Sequence, residues 1–135
     1  MSYQGNPKNS NPNNQGSKID LNKIEKILKG DAKELNMYAD DLAKWFLDAK
    51  ETEKLTTSQI RNVLDEIQRM KEYDEYRIQM LRPKLAYAAG RHKGRIKDFR
   101  ELMEKLIQNT NKQNFQYFKN FIEAIVAYHK FHGGK

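Results

Sequence analysis

The chain has 135 residues, of which 38% are hydrophobic, 32% are charged and none is cysteine. This length predicts one domain with a sizeable core, and the missing cysteines exclude a disulfide framework and a thiolate metal site. No apolar run approaches the roughly 20 residues of a membrane span, and the polar start lacks the apolar segment of a secretory signal, so we expect a cytoplasmic protein without a membrane partner.

Positive charge is concentrated in the C-terminal half of the chain, although the formal net charge is only +7. Residues 1–17 contain one basic and no acidic side chain. Residues 18–76 contain 11 basic and 14 acidic side chains, whereas residues 77–135 contain 13 basic and 4 acidic ones. Such an asymmetry points to a nucleic acid or to an acidic protein as the partner.

The first 17 residues consist mostly of Asn, Gln, Ser, Gly and Pro. A segment of this composition cannot bury enough apolar surface to offset the entropy lost on ordering. We therefore predict a disordered polar tail over residues 1–17 and a single helical domain over residues 18–135.

Two amphipathic helices are predicted next. Asp20 is suited to cap a short helix whose apolar residues are Leu21, Ile24, Ile27 and Leu28. Gly30 ends that helix, and Asp31 caps a second one with the apolar residues Leu35, Tyr38, Ala39, Leu42 and Phe46. Trp45 lies beside this second stripe, so we expect it to pack at the edge of the core.

A capping box begins the third helix. Lys50 to Leu55 is charged and predicted to be a loop, after which Thr56 and Gln59 have the spacing of a reciprocal cap. The apolar stripe behind this cap consists of Ile60, Val63, Leu64 and Ile67. The following segment, residues 71–76, is mostly acidic and is expected to be solvated and to face away from any nucleic acid.

The stretch from Leu81 to Phe99, LRPKLAYAAGRHKGRIKDF, is the main candidate site. Its basic residues are Arg82, Lys84, Arg91, Lys93, Arg95 and Lys97, and no acid interrupts them before Asp98. Pro83 indicates either the start of a new helix or a kink in a longer one, and that helix should end by Gly90. Lysine and arginine neutralise phosphates without selecting a sequence. Tyr87 can either stack on an exposed base or pack its ring in the core, and both interpretations remain open.

Two further helices complete the chain. The first has the apolar residues Ile96, Phe99, Leu102, Met103, Leu106 and Ile107 and stops at Asn109-Thr110-Asn111. The apolar face of the last helix consists of Phe115, Phe118, Phe121, Ile122, Ile125, Val126 and His129. Because no alternating strand pattern appears, the predicted fold is all-α, a compact bundle of five to six helices with a disordered N-terminal tail.

Motifs of catalysis and of metal binding are missing from the sequence. His129 and His132 are three residues apart on a helix, but only Glu123 lies near them as a further ligand. The adjacent Asp40 and Asp41 point about 100° apart on a helix and do not form a carboxylate pair by themselves. We therefore predict that the chain is not an enzyme and has no catalytic residues, no metal site and no cofactor.

Three segments together resemble a known family. LRPKLAYAAGR (81–91), FKNFIEAIVAYHKFHGGK (118–135) and LTTSQIRNVL (55–64) are similar to the small subunit of type III-A CRISPR effector (Csm) complexes. The resemblance covers residues 20–135 and leaves out the Asn-rich tail. It implies a non-catalytic helical subunit of a ribonucleoprotein, several copies of which line the inner filament beside the subunits that hold the guide RNA. In that family the small subunits help to hold the guide–target RNA duplex along a basic groove, and cleavage belongs to other subunits.

The resemblance also implies which residues contact the RNA backbone. It points to Arg61, Lys84, Arg91 and Lys130, and charge alone adds Lys54, Lys93, Arg95 and Lys97. The implied partners are guide and target RNA, other subunits of the complex and further copies of this chain along the filament. Wide apolar faces in so small a domain also predict an uncovered patch, through which the isolated chain would form a homodimer.

Two other functions were weighed against RNA binding. The first is a protein–protein adaptor whose basic face meets an acidic subunit and which has little direct contact with nucleic acid. This adaptor would bind RNA weakly alone, and its charge variants would fail to assemble. The second is a free-standing DNA-binding regulator, which the sequence disfavours because no helix-turn-helix pair with a short glycine turn stands out.

Overall fold

The computed structural model describes residues 18–135, in which seven α-helices and one 3-10 turn occur and no β-strand. The helices are α1 (Leu21–Ile27), α2 (Ala32–Leu47), α3 (Thr57–Arg69), α4 (Glu75–Gln79), α5 (Leu81–Arg91), α6 (Ile96–Asn109) and α7 (Phe115–Phe131), and the 3-10 turn is Glu51–Glu53. The all-α prediction is confirmed. Only Met80 separates α4 from α5, so these two helices form one interrupted segment, and the bundle then has six helical segments. Within this range no helix combines the length and the apolar character needed to cross a membrane. The predicted tail, residues 1–17, lies outside the described residues.

Side-chain caps start three helices where the sequence predicts them. Asp20 accepts hydrogen bonds from two backbone N–H groups of α1, and Asp31 accepts one from α2 at 2.9 Å. At the start of α3, the Thr56 hydroxyl accepts from the Gln59 N–H at 3.3 Å while the Gln59 side chain accepts from the Thr56 N–H at 3.1 Å. Each cap satisfies N–H groups that the helix itself leaves unpaired and is worth about 1 kcal/mol.

Helices α2 and α7 pack side by side and run in the same direction. The Tyr128 hydroxyl donates to the Asn36 side chain at 2.7 Å, and one turn further along both helices His132 lies 2.6 Å from Asp40. The apolar faces of these and the other helices meet in one connected core. Its largest fully buried aromatic residues are Phe46, Phe99, Phe118 and Phe121.

The region around Pro83 resolves the choice between a new helix and a kink. Pro83 is the third residue of α5, in the first turn, where its missing N–H would have no helical partner anyway. The bend lies three residues earlier, at Met80. α5 then continues through Gly90 to Arg91, one residue beyond the predicted end. The short helix α4 was not predicted, because five residues are too few to show an apolar period.

Helices α5 and α6 form an antiparallel hairpin. Arg82 near the start of α5 pairs with Glu104 on α6 at 3.0 Å, and Lys97 near the start of α6 donates to the carbonyl of Ala89 near the end of α5 at 2.7 Å. The turn between them contains Gly94 at a φ of +88°, a conformation that favours glycine. Helix α3 packs beside α5, and the space between these two helices is the candidate site.

Candidate nucleic-acid interface

A groove of about 510 Å³ lies between α3 and α5. Its lining contains two cations, one histidine and several neutral polar groups but no acidic residue: Ser58, Gln59, Asn62, Val63, Met80, Pro83, Lys84, Tyr87, Ala88, Arg91 and His92. The apolar stripe of α3 is mostly turned into the core, so the flank that faces α5 is the polar one. A groove of this composition is suited to a polyanion.

Tyr87 is the aromatic residue of the groove. Its side chain is 67% exposed, and the guanidinium carbon of Arg91, one turn later on α5, lies 5.5 Å from the centroid of its ring. Packing of the ring in the core, one of the two interpretations of the sequence, is therefore wrong for this residue. The ring and the cation together present a flat, partly cationic surface to solvent, on which a planar group can stack.

One end of the groove is close to Glu66, whose charge is compensated by cations. Arg77 donates to one of its carboxylate oxygens at 2.9 and 2.7 Å, and Arg69 to the other at 3.2 Å. The Arg77 guanidinium, followed by that of Arg69, holds the pKa of Glu66 below its usual range. Lys84 of the groove lies 4.0 Å from the same carboxylate. This acid therefore does not give the groove a negative potential of its own.

The other end of the groove meets the turn between α5 and α6. Arg91 and His92 line the groove there, and the exposed Lys93 follows them. The turn lies against the 3-10 segment, because the Arg95 N–H donates to the carbonyl of Glu53 at 2.9 Å. Lys54 is consequently close to this turn, where its ammonium group pairs with Glu51 at 3.2 Å.

Arg95 and Lys97 have partners inside the fold. Arg95 donates to the carbonyls of Trp45 at 2.9 Å and Asp48 at 2.7 Å, at the end of α2, and its side chain is only 21% exposed. Lys97 donates to the carbonyl of Ala89 near the end of α5. Both side chains thus satisfy carbonyls near helix ends, where intrahelical partners run out. Their predicted RNA contacts stay predictions, and their placement is explained by these structural bonds.

The remaining predicted residues differ in their distance from the groove. Lys84 and Arg91 line it, whereas Arg61 is exposed on α3 next to the lining residue Asn62. Lys130 is exposed near the end of α7. That end of α7 packs near the start of α3. The structure therefore brings together the predicted residues of α5 and the following turn, whereas Arg61, about 100° from Asn62 around α3, and Lys130 on α7 do not line the groove.

The two C-terminal histidines are held by the fold. His129 is buried, and its Nε2 lies 2.8 Å from the carbonyl oxygen of Leu55, which can only accept, so this nitrogen carries the proton. The Nε2 of His132 is bonded to Asp40 on α2. Among residues 18–135, no group of three or more histidine, aspartate or glutamate side chains is arranged to hold a metal ion.

Sequence reasoning did not single out three polar lining residues, Ser58, Asn62 and His92. Ser58 and Asn62 are one turn apart on the polar flank of α3. Their spacing beside the apolar stripe is a weak signal, since many surface residues share it. Only the packing of α5 against this flank distinguishes them from other exposed polar residues.

Comparisons with known proteins identify the family of the chain. A family model described as Csm2 Type III-A matches residues 29–135, which include the whole groove. A relative from Streptococcus thermophilus, named CRISPR system Cms protein Csm2, is 36% identical over 92 residues, covering 60% of this chain and 75% of the relative. No solved structure matches the chain. The chain therefore belongs to the Csm2 Type III-A family, the small subunits of type III-A CRISPR effector (Csm) complexes.

Proposed function

We propose that this small subunit is a non-catalytic RNA-binding protein that holds the guide–target RNA duplex along the groove between α3 and α5. Its basic side chains contact phosphates, so that it stabilises the duplex without reading the sequence. The proposal places the subunit in the cytoplasm, in an assembly with guide RNA, target RNA, other subunits and further copies of itself.

The observation that carries the proposal is the charge of the groove. Lys84, Arg91 and His92 line it, no lining residue is acidic, and the carboxylate of Glu66, 4.0 Å from Lys84, is already bonded to Arg77. Phosphate contacts of this kind release counterions and supply most of the affinity for a nucleic acid irrespective of sequence. Of the two helices that form the groove, α3 belongs to the more acidic N-terminal part of the chain and α5 to the basic C-terminal part.

A second and larger cavity is less suited to a polyanion. It measures about 930 Å³ and is lined by residues of α1, α2 and the segment before them. Three aspartates are among its lining residues, Asp20, Asp41 and Asp48, beside the lysines of the same segments. The carboxylates would repel phosphates, so that electrostatics favours the smaller groove between α3 and α5.

The predicted RNA contacts divide into three groups according to their surroundings. Lys84 and Arg91 line the groove, Lys93 follows on the turn at its end, and Arg61 is exposed on α3 outside the lining; we propose these four as the main phosphate contacts. Lys54 and Lys130 are further from it and are proposed as contacts at its margins. Arg95 and Lys97, whose side chains bond to carbonyls in the fold, would support the groove and contribute to RNA binding mainly through their charge.

Contacts with other proteins are proposed for a different surface. Phe131 near the end of α7 is 81% exposed and Met37 on α2 is 58% exposed, and neither lines the groove. Exposed large apolar residues favour a protein partner, either another subunit or a second copy of this chain. An adaptor would use such apolar surfaces in addition to the basic face through which it meets an acidic subunit. Concentration-dependent sedimentation of the isolated chain tests the homodimer, which a strictly monomeric profile would rule out.

The test compares charge variants in the assembled complex, where repeated copies multiply weak contacts. The complex is reconstituted with wild-type subunit or with the triple variant Arg61→Ala, Lys84→Ala and Arg91→Ala. Affinity for a complementary target RNA is measured at several KCl concentrations. If each cation contacts one phosphate, the slope of log affinity against log salt should fall by about 0.7 for each lost contact. Lys71→Ala, a change at an exposed lysine between α3 and α4, is the control.

The outcomes separate the two functions. Assembly with weaker target binding and a flatter salt slope supports RNA binding by the groove. Loss of assembly in the triple variant, with wild-type assembly for Lys71→Ala, supports the adaptor. A triple variant that assembles and holds target RNA as tightly as wild type contradicts the proposed groove. Sequence preference should be unchanged in every case, since phosphates carry no base information.

A further inference from the structure

The position of Tyr87 is not explained by phosphate contacts alone. Its ring is 67% exposed at a groove otherwise lined by cations and neutral polar side chains. The hydroxyl of a tyrosine can donate to a phosphate, but the ring itself loses in water the free energy that burial or stacking would supply. The guanidinium carbon of Arg91 lies 5.5 Å from the centroid of the ring, so the neighbour of the ring is a planar cation. Such a ring is suited to a planar, electron-rich partner.

The chemistry around Tyr87 fits a nucleobase. Asn62 and Gln59 carry amide groups that can both donate to and accept from a base edge, and Ser58 and His92 add further donor and acceptor atoms. The groove volume of about 510 Å³ lies within the range of roughly 300–1,000 Å³ typical of small-ligand sites. Lys84 lies on the same face of α5 as Tyr87, one turn earlier in the chain, where it can meet the phosphate of the same nucleotide.

An intact duplex does not offer a base to this ring. Bases inside an A-form helix are stacked on their neighbours, so aromatic side chains stack on nucleotides that are unpaired, in loops, bulges or single strands. We infer that the groove binds one unpaired RNA nucleotide, with its base against the ring of Tyr87 and its phosphate at Lys84. This inference rests on the proposed function and adds that the RNA held at this groove contains a nucleotide outside the base-paired stack.

The test uses the full chain and two RNA duplexes that differ in one group. The first duplex carries a single bulged adenosine, and the second carries an abasic site in the bulge with the same phosphates. Wild-type protein should bind the first more tightly. Tyr87→Leu should weaken binding of the first duplex by roughly 5- to 150-fold, which corresponds to the 1–3 kcal/mol of one stacked base, and leave the second unchanged. Tyr87→Phe should keep most of the affinity, because the stacking ring remains.

A control variant and a direct spectroscopic readout make the result specific. Tyr76→Leu removes another exposed tyrosine, 74% accessible on α4 and outside the groove, and should change neither affinity. Both tyrosines are exposed, so both variants should fold, which circular dichroism checks. Proton NMR of the wild-type chain adds a direct readout: the ring protons of Tyr87 should shift upfield with the adenosine bulge and not with the abasic one.

The outcomes distinguish this inference from the proposed function. Equal affinity of the wild type for the two duplexes, with weaker binding of both by Lys84→Ala, contradicts the stacked nucleotide and leaves the phosphate contacts intact. No shift of the Tyr87 ring protons with the bound adenosine bulge contradicts the stacked nucleotide as well. If wild-type protein at millimolar concentration binds neither duplex, the stacked nucleotide is contradicted, whereas the proposed function is decided by the triple variant in the assembled complex.

Discussion

The guanidinium carbon of Arg95 lies 3.5 Å from the centroid of the Trp45 ring, and its Nε donates to the carbonyl of the same residue at 2.9 Å. Arg95 therefore stacks on the side chain of Trp45 while it bonds to the backbone at the end of α2. A third contact, to the carbonyl of Asp48 at 2.7 Å, extends the attachment beyond the helix. One side chain of the basic stretch thus joins α2 to the start of α6.

Arg95→Ala should destabilise the fold rather than act only on RNA binding. A charge-assisted hydrogen bond contributes roughly 1.5–3 kcal/mol and a cation–π contact roughly 0.5–2 kcal/mol, so one such bond together with the ring contact corresponds to a loss of about 2–5 kcal/mol, and we expect at least this much. Arg95→Lys should recover only part of it, because an ammonium group lacks the planar fork that serves two carbonyls and a ring. Urea unfolding measures both changes. Arg61→Ala, at an exposed cation, is the control, and equal unfolding midpoints for Arg95→Ala and Arg61→Ala would show that the stacked contact stabilises nothing.

Gly94→Ala should be strongly destabilising. Its φ of +88° disfavours any residue with a Cβ, and a Cβ at this position would lie 2.2 Å from the carbonyl oxygen of Glu53. The strained conformation alone costs roughly 1–3 kcal/mol, and relief of the overlap requires that the turn separates from the 3-10 segment. Thermal unfolding of the variant should therefore begin at a clearly lower temperature than that of the wild type.

Gly90→Ala is the matched change with the opposite expectation. Gly90 lies inside α5, and nothing within 4 Å would meet its added Cβ. Alanine restricts the unfolded chain and favours the helix, so we expect a gain of up to about 1 kcal/mol. Destabilisation by both alanines, or by neither, would mean that the two glycines do not have the different roles that their conformations assign to them.

Much of the fold follows from local patterns that the sequence displays. Asp20, Asp31 and the Thr56–Gln59 pair begin helices as predicted, because a cap depends only on residues within one turn. The 3-10 turn Glu51–Glu53 lies in the segment predicted to be a loop, since a run of three residues has no period. The five residues of α4 are too few to show a period either, so the sequence does not predict this helix.

The site was less predictable than the helices, because its contacts join distant parts of the chain. The partners of Arg95 are the carbonyls of Trp45 and Asp48, about 50 positions earlier, and composition cannot reveal them. From the sequence alone, Arg95 cannot be distinguished from exposed cations such as Lys93. Tyr87 was ambiguous because its exposure depends on how α3 lies beside α5, which no pattern within α5 encodes.

Stability should also depend on pH through Tyr38 at alkaline pH. Its hydroxyl accepts from the Asp20 N–H at 2.8 Å and donates to the Lys18 carbonyl at 2.5 Å, and burial raises the pKa of Tyr38 to about 12 from 10.0. The unfolded chain releases this proton near pH 10, before the folded protein does. The stability that the protonated phenol contributes is therefore complete below pH 10 and is lost as the pH rises towards 12.

Tyr38→Phe tests this dependence. At neutral pH the variant should be less stable than the wild type, because it lacks both hydrogen bonds of the hydroxyl. As the pH rises from about 10 to 12, the difference in stability between the wild type and the variant should become smaller, since only the wild type has this phenol to ionise. The measurement is the urea unfolding midpoint of both proteins across this pH range. If the midpoints of wild type and variant change with pH in parallel, Tyr38 does not couple ionisation to folding.

Glu66→Gln should strengthen RNA binding if the groove holds phosphates. Glu66 now bonds to Arg77 and Arg69 and lies 4.0 Å from Lys84, so its charge offsets cations at one end of the groove. The amide keeps the shape of the side chain and removes the charge, which leaves Lys84 available to a phosphate. We expect tighter binding at low salt and a salt slope steeper by up to about 0.7, the value for one additional phosphate contact with a single strand.

Glu123→Gln is the control for this variant, because it makes the same change of net charge at an exposed position on α7 away from the groove. A general effect of net charge would raise affinity equally in both variants, whereas a local effect would raise it only in Glu66→Gln. Fluorescence anisotropy with a short RNA at four KCl concentrations separates the two. Combining Glu66→Gln with Lys84→Ala should reduce the gain, because the ammonium group of Lys84 is then absent while Arg77 and Arg69 remain. A double variant that keeps the full gain would show that Glu66 acts on RNA through a residue other than Lys84.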